Sequence, residues 1–202
     1  VPSYRAPLAE SRAEIREKGS VFLAVIGPAA DEAAAKALLA RLERELPDAT
    51  HHCWAWRLGS PPRERGADAG EPAGTAGVPI LQVLRGADLS DVMAVVVRWF
   101  GGTRLGKGGL ARAYSAAARE ALQGLPVAAR VVTVRVAVEV PYEKIGAVKR
   151  LLRPPEIELE GEEYGAAARL VLAVHEAREE ALREALAELG ISPRIESSKP
   201  MK

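Results

Sequence analysis

Cysteine is almost absent from this chain: Cys53 is the only one in 202 residues. That excludes an intramolecular disulfide and any cysteine-rich zinc site. Histidine is nearly as scarce, with His51, His52 and His175 alone. On a strand, neighbouring side chains point to opposite faces, so His51 and Cys53 could converge while His52 could not. With His175 in the other half of the chain, no metal site is expected, and Cys53 reads as a small buried residue. Aromatic residues make up only 4%. Ala, Leu and Val must therefore fill the core, with Trp54, Trp56, Trp99 and Tyr114 expected inside it. No apolar run reaches the roughly 18 residues of a membrane span, and the first residues lack the charged-then-apolar pattern of a signal peptide. The expected compartment is the cytoplasm, with no membrane partner. Asparagine is missing and Arg exceeds Lys; few thermolabile amides fit a thermophile, a bias that a GC-rich genome would also produce.

An excess of one charge is lacking too, since 28 Lys and Arg oppose 27 Asp and Glu. Any basic patch must come from distribution and not from total charge. The distribution is uneven in one place: no acid occurs between Asp91 and Glu120, where Arg98, Arg104, Lys107, Arg112 and Arg119 all lie. This stretch, VMAVVVRWFGGTRLGKGGLARAYSAAAREAL from Val92 to Leu122, organises the chain. An apolar strand enters, five glycines follow within nine residues (101–109), and an Ala-rich amphipathic helix leaves. Helix N-termini carry unpaired N–H groups and partial positive charge, so the expectation is an anion site, with phosphate the first candidate.

Gly101, four residues and then Gly106-Lys107 nearly reproduce the nucleotide P-loop, but position 108 is Gly, and the hydroxyl that ligates magnesium is missing. A tight strand-to-helix turn needing positive φ would use two glycines. Five, flanked by Arg and Lys, point to backbone approach to a ligand. The candidate anion or nucleic-acid site is therefore Arg98, Gly101, Gly102, Arg104, Gly106, Lys107, Gly108, Gly109 and Arg112.

Elsewhere, residues 12–18 and 20–26 read as a hairpin about Gly19. Asp31 is placed to cap a helix running to about Leu46, with Ala34, Leu38, Leu39 and Leu42 inward. His52–Leu58 reads as a strand with Cys53 on one face and Trp54 and Trp56 on the other. Gly59–Gly77 has no periodicity and reads as a long loop of the kind that is commonly functional. Within it Asp68 and Glu71 form a carboxylate pair; without a partner histidine the plainer reading is a solvated turn. Pro79 opens a short helix ended by Gly86, and the helix after the glycine loop runs from about Gly108 to Leu122, with Leu110, Tyr114, Ala117, Ala118 and Ala121 on one face. Gly124-Leu125-Pro126 is the natural boundary. Beyond it lie strand 131–140, helix 142–152, strands 156–163 and 166–174, helix 176–189 and strand 191–197, the βαββαβ order of a ferredoxin-like unit.

HHCWAWRLG (51–59), ERGADAGEPAGTAGVPILQVLRG (64–86) and VVVRWFGGTRLGKGGLARAYSAAAREAL (95–122), in this order, resemble the Impact/YigZ family. The second half resembles the C-terminal domain of its bacterial members. Family members tend to have ERSSDDGEP where this chain has ERGADAGEP. The resemblance implies an α+β protein of two domains. Residues 1–126 would be an Impact-type domain like domain 2 of ribosomal protein S5, and residues 127–202 a ferredoxin-like domain like the last domain of elongation factor G. In elongation factor G, domains of these two kinds also occur consecutively and both contact the ribosome. The expected partner is RNA or the ribosome, bound without catalysis or cofactor in a role regulating translation, with a further loop contribution from Arg65, Asp68 and Glu71. Eukaryotic relatives bind a regulator of an initiation-factor kinase, so the resemblance also allows a protein–protein module of translational control. A third reading is an enzyme on a nucleotide or phosphorylated small molecule, because kinases with the S5-like fold hold ATP phosphates with a Gly-rich loop.

Overall fold

In the computed structural model, which describes residues 3–197, the chain divides into two compact α+β units. One is Tyr4–Ala129; the other runs from Arg130 onward and takes in Ser3.

The first unit begins within β1 (Ser3–Pro7) and holds β2 (Ser11–Glu17), β3 (Ser20–Pro28), α1 (Glu32–Glu45) and β4 (His51–Leu58). It continues with β5 (Arg63–Ala67), α2 (Gly77–Gly86), β6 (Val92–Trp99) and α3 (Gly106–Gln123), and ends within β7 (Val127–Val131). Strands β2-β3-β6-β4-β5 form one antiparallel sheet, and β1 pairs with β7. Lys18 and Gly19, both at positive φ, make the tight turn of the β2–β3 hairpin. Central β6 is buried on both faces, which is why it reads as a continuous apolar run. On one face, Phe22, Ile26, Cys53, Ala94 and Val96 pack against Ile80 and Leu84 of α2 and Leu110, Tyr114 and Ala117 of α3. On the other, Val25, Trp56, Met93 and Val95 pack against Leu38 and Leu42 of α1. The inward stripe of α1 is Ala35, Leu38 and Leu42, with Ala34 and Leu39 only partly buried.

The stretch Gly59–Gly77 is not an irregular loop throughout, because β5 lies within it. β5 (RERGA) is an edge strand, and charged residues at an edge protect its unpaired backbone while hiding the apolar alternation that marks a strand.

The second unit comprises β8 (Thr133–Val140), a 3₁₀ turn (Tyr142–Lys144) leading into α4 (Ile145–Lys149), β9 (Ile157–Tyr164) and β10 (Ala168–His175). A second 3₁₀ turn (Glu176–Arg178) leads into α5 (Glu179–Glu188), followed by β11 (Pro193–Ser197). The sheet order β11-β8-β10-β9 sets the first and third strands of the unit in the middle, as in a ferredoxin-like fold. Val136, Val138, Leu170 and Leu172 meet Val148, Leu182 and Leu186 in its core. The expected helix 142–152 is much shorter than its pattern suggests. Pro154 and Pro155 follow closely, and a residue before proline is driven out of the helical region. The other sheet face carries Arg135 paired with Glu160 at 2.5 Å, and Arg169 paired with Glu163 and Glu196.

Candidate nucleic-acid interface at the start of α3

The candidate site begins where β6 leaves the sheet. Phe100 donates its N–H to Thr50 Oγ1 at 3.0 Å. Gly101 then presses against the β2–β3 turn so closely that a Cβ there would fall 1.8 Å from the carbonyl carbon of Gly19. Its N–H donates to Ser20 Oγ at 3.2 Å. The sequence suggests that Gly101 offers its amide to a phosphate; the structure instead uses that amide internally and the missing side chain for backbone packing. Gly102 and Gly106 have φ of 85° and 68°, the left-handed region that glycine enters without strain. Helix α3 starts at Gly106 with no side-chain cap and no acid in its first turn, while Leu110, Ala113, Tyr114, Ala117 and Ala118 seat it on the sheet. The first N–H groups of α3, on Gly106, Lys107 and Gly108, face outward from a positive helix end.

Beneath this helix start lies a buried polar chain. Arg98, 5% exposed, donates through one terminal nitrogen to Glu71 Oε1 at 2.6 Å and through the other to Ser20 Oγ at 3.2 Å. The Tyr114 hydroxyl donates to the same Glu71 oxygen at 2.8 Å. Cys53 Sγ lies 3.3 Å from the Tyr114 hydroxyl and 3.0 Å from the Asp68 carbonyl oxygen. The Arg98 guanidinium carbon sits 5.4 Å from the Phe22 ring centre and 5.5 Å from that of Phe100, so the cation is held between aromatic faces. Burial, with the nearby Glu71 and Asp68 carboxylates, pushes the Cys53 thiol up to about 12. Burial likewise raises Tyr114, aided by Cys53 and Glu71. Both groups stay protonated at neutral pH, and Cys53 is no nucleophile there. His51 approaches the same loop, with Nδ1 2.9 Å from the Ala69 carbonyl and Nε2 3.9 Å from Glu71 Oε1. Among the described residues, no cluster of three or more His, Cys, Asp or Glu side chains has the arrangement of a metal site.

The three loop candidates part company. Glu71 is buried and so is not part of a solvated turn. Asp68 faces the backbone of α2: Oδ1 accepts from Ala76 N at 2.9 Å and Gly77 N at 2.8 Å, and Oδ2 from Gly74 N at 2.8 Å. Burial pushes the Asp68 carboxyl up, but the bonds from Gly74, Gly77 and Ala76 outweigh it and leave it below the usual carboxylate range. Arg65 pairs in register with Trp56 and lines a separate cavity with Trp54 and Lys36, against α1. The strand alternation of β5 sends it to the opposite face of the sheet from α3.

Glu71, Pro72, Arg98, Phe100, Arg104, Leu105, Gly106, Lys107 and Leu110 line a cavity of about 390 Å³. The loops around 71 and 101–109 therefore meet at one place. Arg104, Lys107 and Arg112 are exposed, and among the described residues none of them is paired with a carboxylate. Gly108 and Gly109 lie in the same first turn. Sequence reasoning misses Phe100, 49% exposed at the mouth, although an aromatic residue between a buried strand and a glycine pair is a visible signal.

The model of the Impact N-terminal domain matches residues 18–122, more than half of the chain. The chain belongs to the Impact family. A second model, a domain of unknown function (DUF1949), matches residues 138–190. An Impact family member of Thermus thermophilus, named for its place in the pol 5' region, is 47% identical over 141 residues, covering 70% of this chain and 76% of that protein. The family member YigZ of Escherichia coli is 34% identical over 164 residues, 80% of each chain. A crystal structure of a hypothetical protein superposes with a TM-score of 0.77 at 30% identity, over 96% of this chain and 97% of that one. Every residue lining the cavity falls within the segment matched as the Impact N-terminal domain.

Proposed function

We propose that this Impact family protein binds RNA, free or on a ribosomal surface, as a non-catalytic regulator of translation. One observation carries the reading: three exposed and unpaired cations, Arg104, Lys107 and Arg112, gather at a helix start that the chain itself leaves uncapped. Backbone N–H groups at Gly106, Lys107 and Gly108 approach a phosphate, while Gly109 closes the first helical turn on Leu105; Gly102 lets the loop turn aside, and the cations neutralise neighbouring phosphates. Arg98 serves indirectly. It offsets the Glu71 charge, so the floor of the cavity does not repel an anion. A catalytic reading gains no support from Cys53 and Tyr114, which both lie below the surface and hold their protons.

Fluorescence anisotropy with a labelled RNA, run from low to moderate salt, tests this. Binding should weaken steeply with salt, and Arg104→Ala with Lys107→Ala should lower the log–log salt slope by about 1.4, at roughly 0.7 per single-strand phosphate contact. Binding that ignores both salt and the double substitution would overturn the proposal.

A further inference from the structure

A surface that merely holds phosphate has no use for an exposed aromatic ring or a carboxylate, yet this cavity has both. Phe100 is 49% exposed at its mouth. One face of the ring rests on the Arg98 guanidinium and the backbone is pinned to Thr50, so a rigid aromatic platform stays open on its other face. The Glu71 carboxylate is used unevenly. Arg98, Tyr114 and the approaching His51 all address Oε1, which leaves Oε2 as an acceptor at the wall of the cavity that Glu71 lines. Arg98 is buried and its Nε has no hydrogen-bond partner. Leu105, Pro72 and Leu110 supply apolar walls, and about 390 Å³ lies within the roughly 300–1,000 Å³ of small-ligand clefts.

A nucleotide matches this inventory: a flat apolar face, an edge bearing N–H groups, ribose hydroxyls and a phosphate. We propose that the cavity is a subsite for one unpaired nucleotide of an RNA strand. Its base stacks on the open face of Phe100, a base N–H or ribose O–H donates to Glu71 Oε2, and its phosphate lies against Arg104 and Lys107 at the start of α3. This rests on the RNA-binding reading and narrows it to single strands, since paired bases in a duplex keep their faces stacked on one another.

The test uses the full chain and three probes: an unstructured RNA of roughly twelve nucleotides, within the range of single-strand sites, the same strand as a duplex, and an abasic strand of equal length. Phe100→Ala should weaken binding of the intact single strand on the order of tenfold, in line with base–aromatic stacking. Phe100→Tyr should restore it. The abasic strand should bind wild type and Phe100→Ala equally weakly, and the duplex should bind less tightly than the single strand. Thermal melts confirm that the exposed-site variants are folded. If Phe100→Ala binds the intact strand as wild type does, or the abasic strand binds as tightly as the intact one, the subsite is overturned while salt-sensitive RNA binding stands. If wild type binds none of the three, the RNA-binding reading falls and the subsite with it.

Discussion

Helices α2 and α3 start in the same unit, each after a glycine-rich segment, yet they finish their N-termini differently. At α2, Asp68 reaches over the helix start and accepts from three backbone N–H groups, on Gly74, Ala76 and Gly77. At α1, Asp31 does the same for Ala34 at 2.8 Å. At α3 no side chain caps the helix and no acid stands in the first turn. Of the three helices in this unit, α3 is thus the one whose first N–H groups meet no side-chain acceptor among the described residues. A capped end is electrostatically complete. An uncapped end ringed by free arginine and lysine is complete only when an anion arrives from outside.

The largest perturbation attacks the floor of the open end. Glu71→Ala leaves Arg98 buried without its counter-charge, and should cost about 3–5 kcal/mol in urea denaturation; Glu71→Gln, which still offers an acceptor, should cost less. Asp68→Ala strips the closed end and exposes its N–H groups, with an expected loss of about 2–3 kcal/mol. The same residue sets a pH signature. Because the folded Asp68 carboxyl lies below its ordinary value, its stabilisation is present above the unfolded pKa and is lost as pH falls through the folded one. Chemical denaturation from neutral pH into that acid range should show Asp68→Asn losing less stability than wild type. The smallest effect makes α3 resemble α2. Gly108→Asp puts an acid in the uncapped first turn and removes a helical glycine, so stability should rise by about 1 kcal/mol. RNA affinity should fall in the same variant, because the new carboxylate occupies the charge well. A Gly108→Asp protein more stable and equally tight-binding would break the link between the open end and binding.

The parts legible in the sequence are those governed by short-range periodicity. The apolar run of β6, the inward face Leu110-Tyr114-Ala117-Ala118-Ala121 of α3 and the Asp31 cap each follow from spacing within a few residues. The polar chain below the site is not legible, because Glu71 meets Arg98 across 27 positions and Tyr114 across 43. A glutamate beside a proline reads as a surface turn until the fold buries it. Arg65 is misassigned to the site for a related reason: β5 does not read as a strand, and without its alternation nothing indicates which face Arg65 takes. The basic loop itself is legible by composition, since charge imbalance needs no register to be seen.

The contact between Gly101 and Gly19 fixes where this binding loop can vary. Any side chain at position 101 would place its first carbon 1.8 Å from the neighbouring carbonyl carbon, so the first residue after Phe100 is fastened to the hairpin turn of another strand pair. A Cβ added at Gly102, by contrast, would meet nothing within 4 Å. Its φ of 85° still calls for glycine, and Leu105 packs on the core; insertions or replacements around Thr103 and Arg104 can lengthen or reshape the arm while the sheet keeps its register. An engineer seeking a different ligand preference would diversify those two positions and leave Gly19, Gly101 and Gly102 alone.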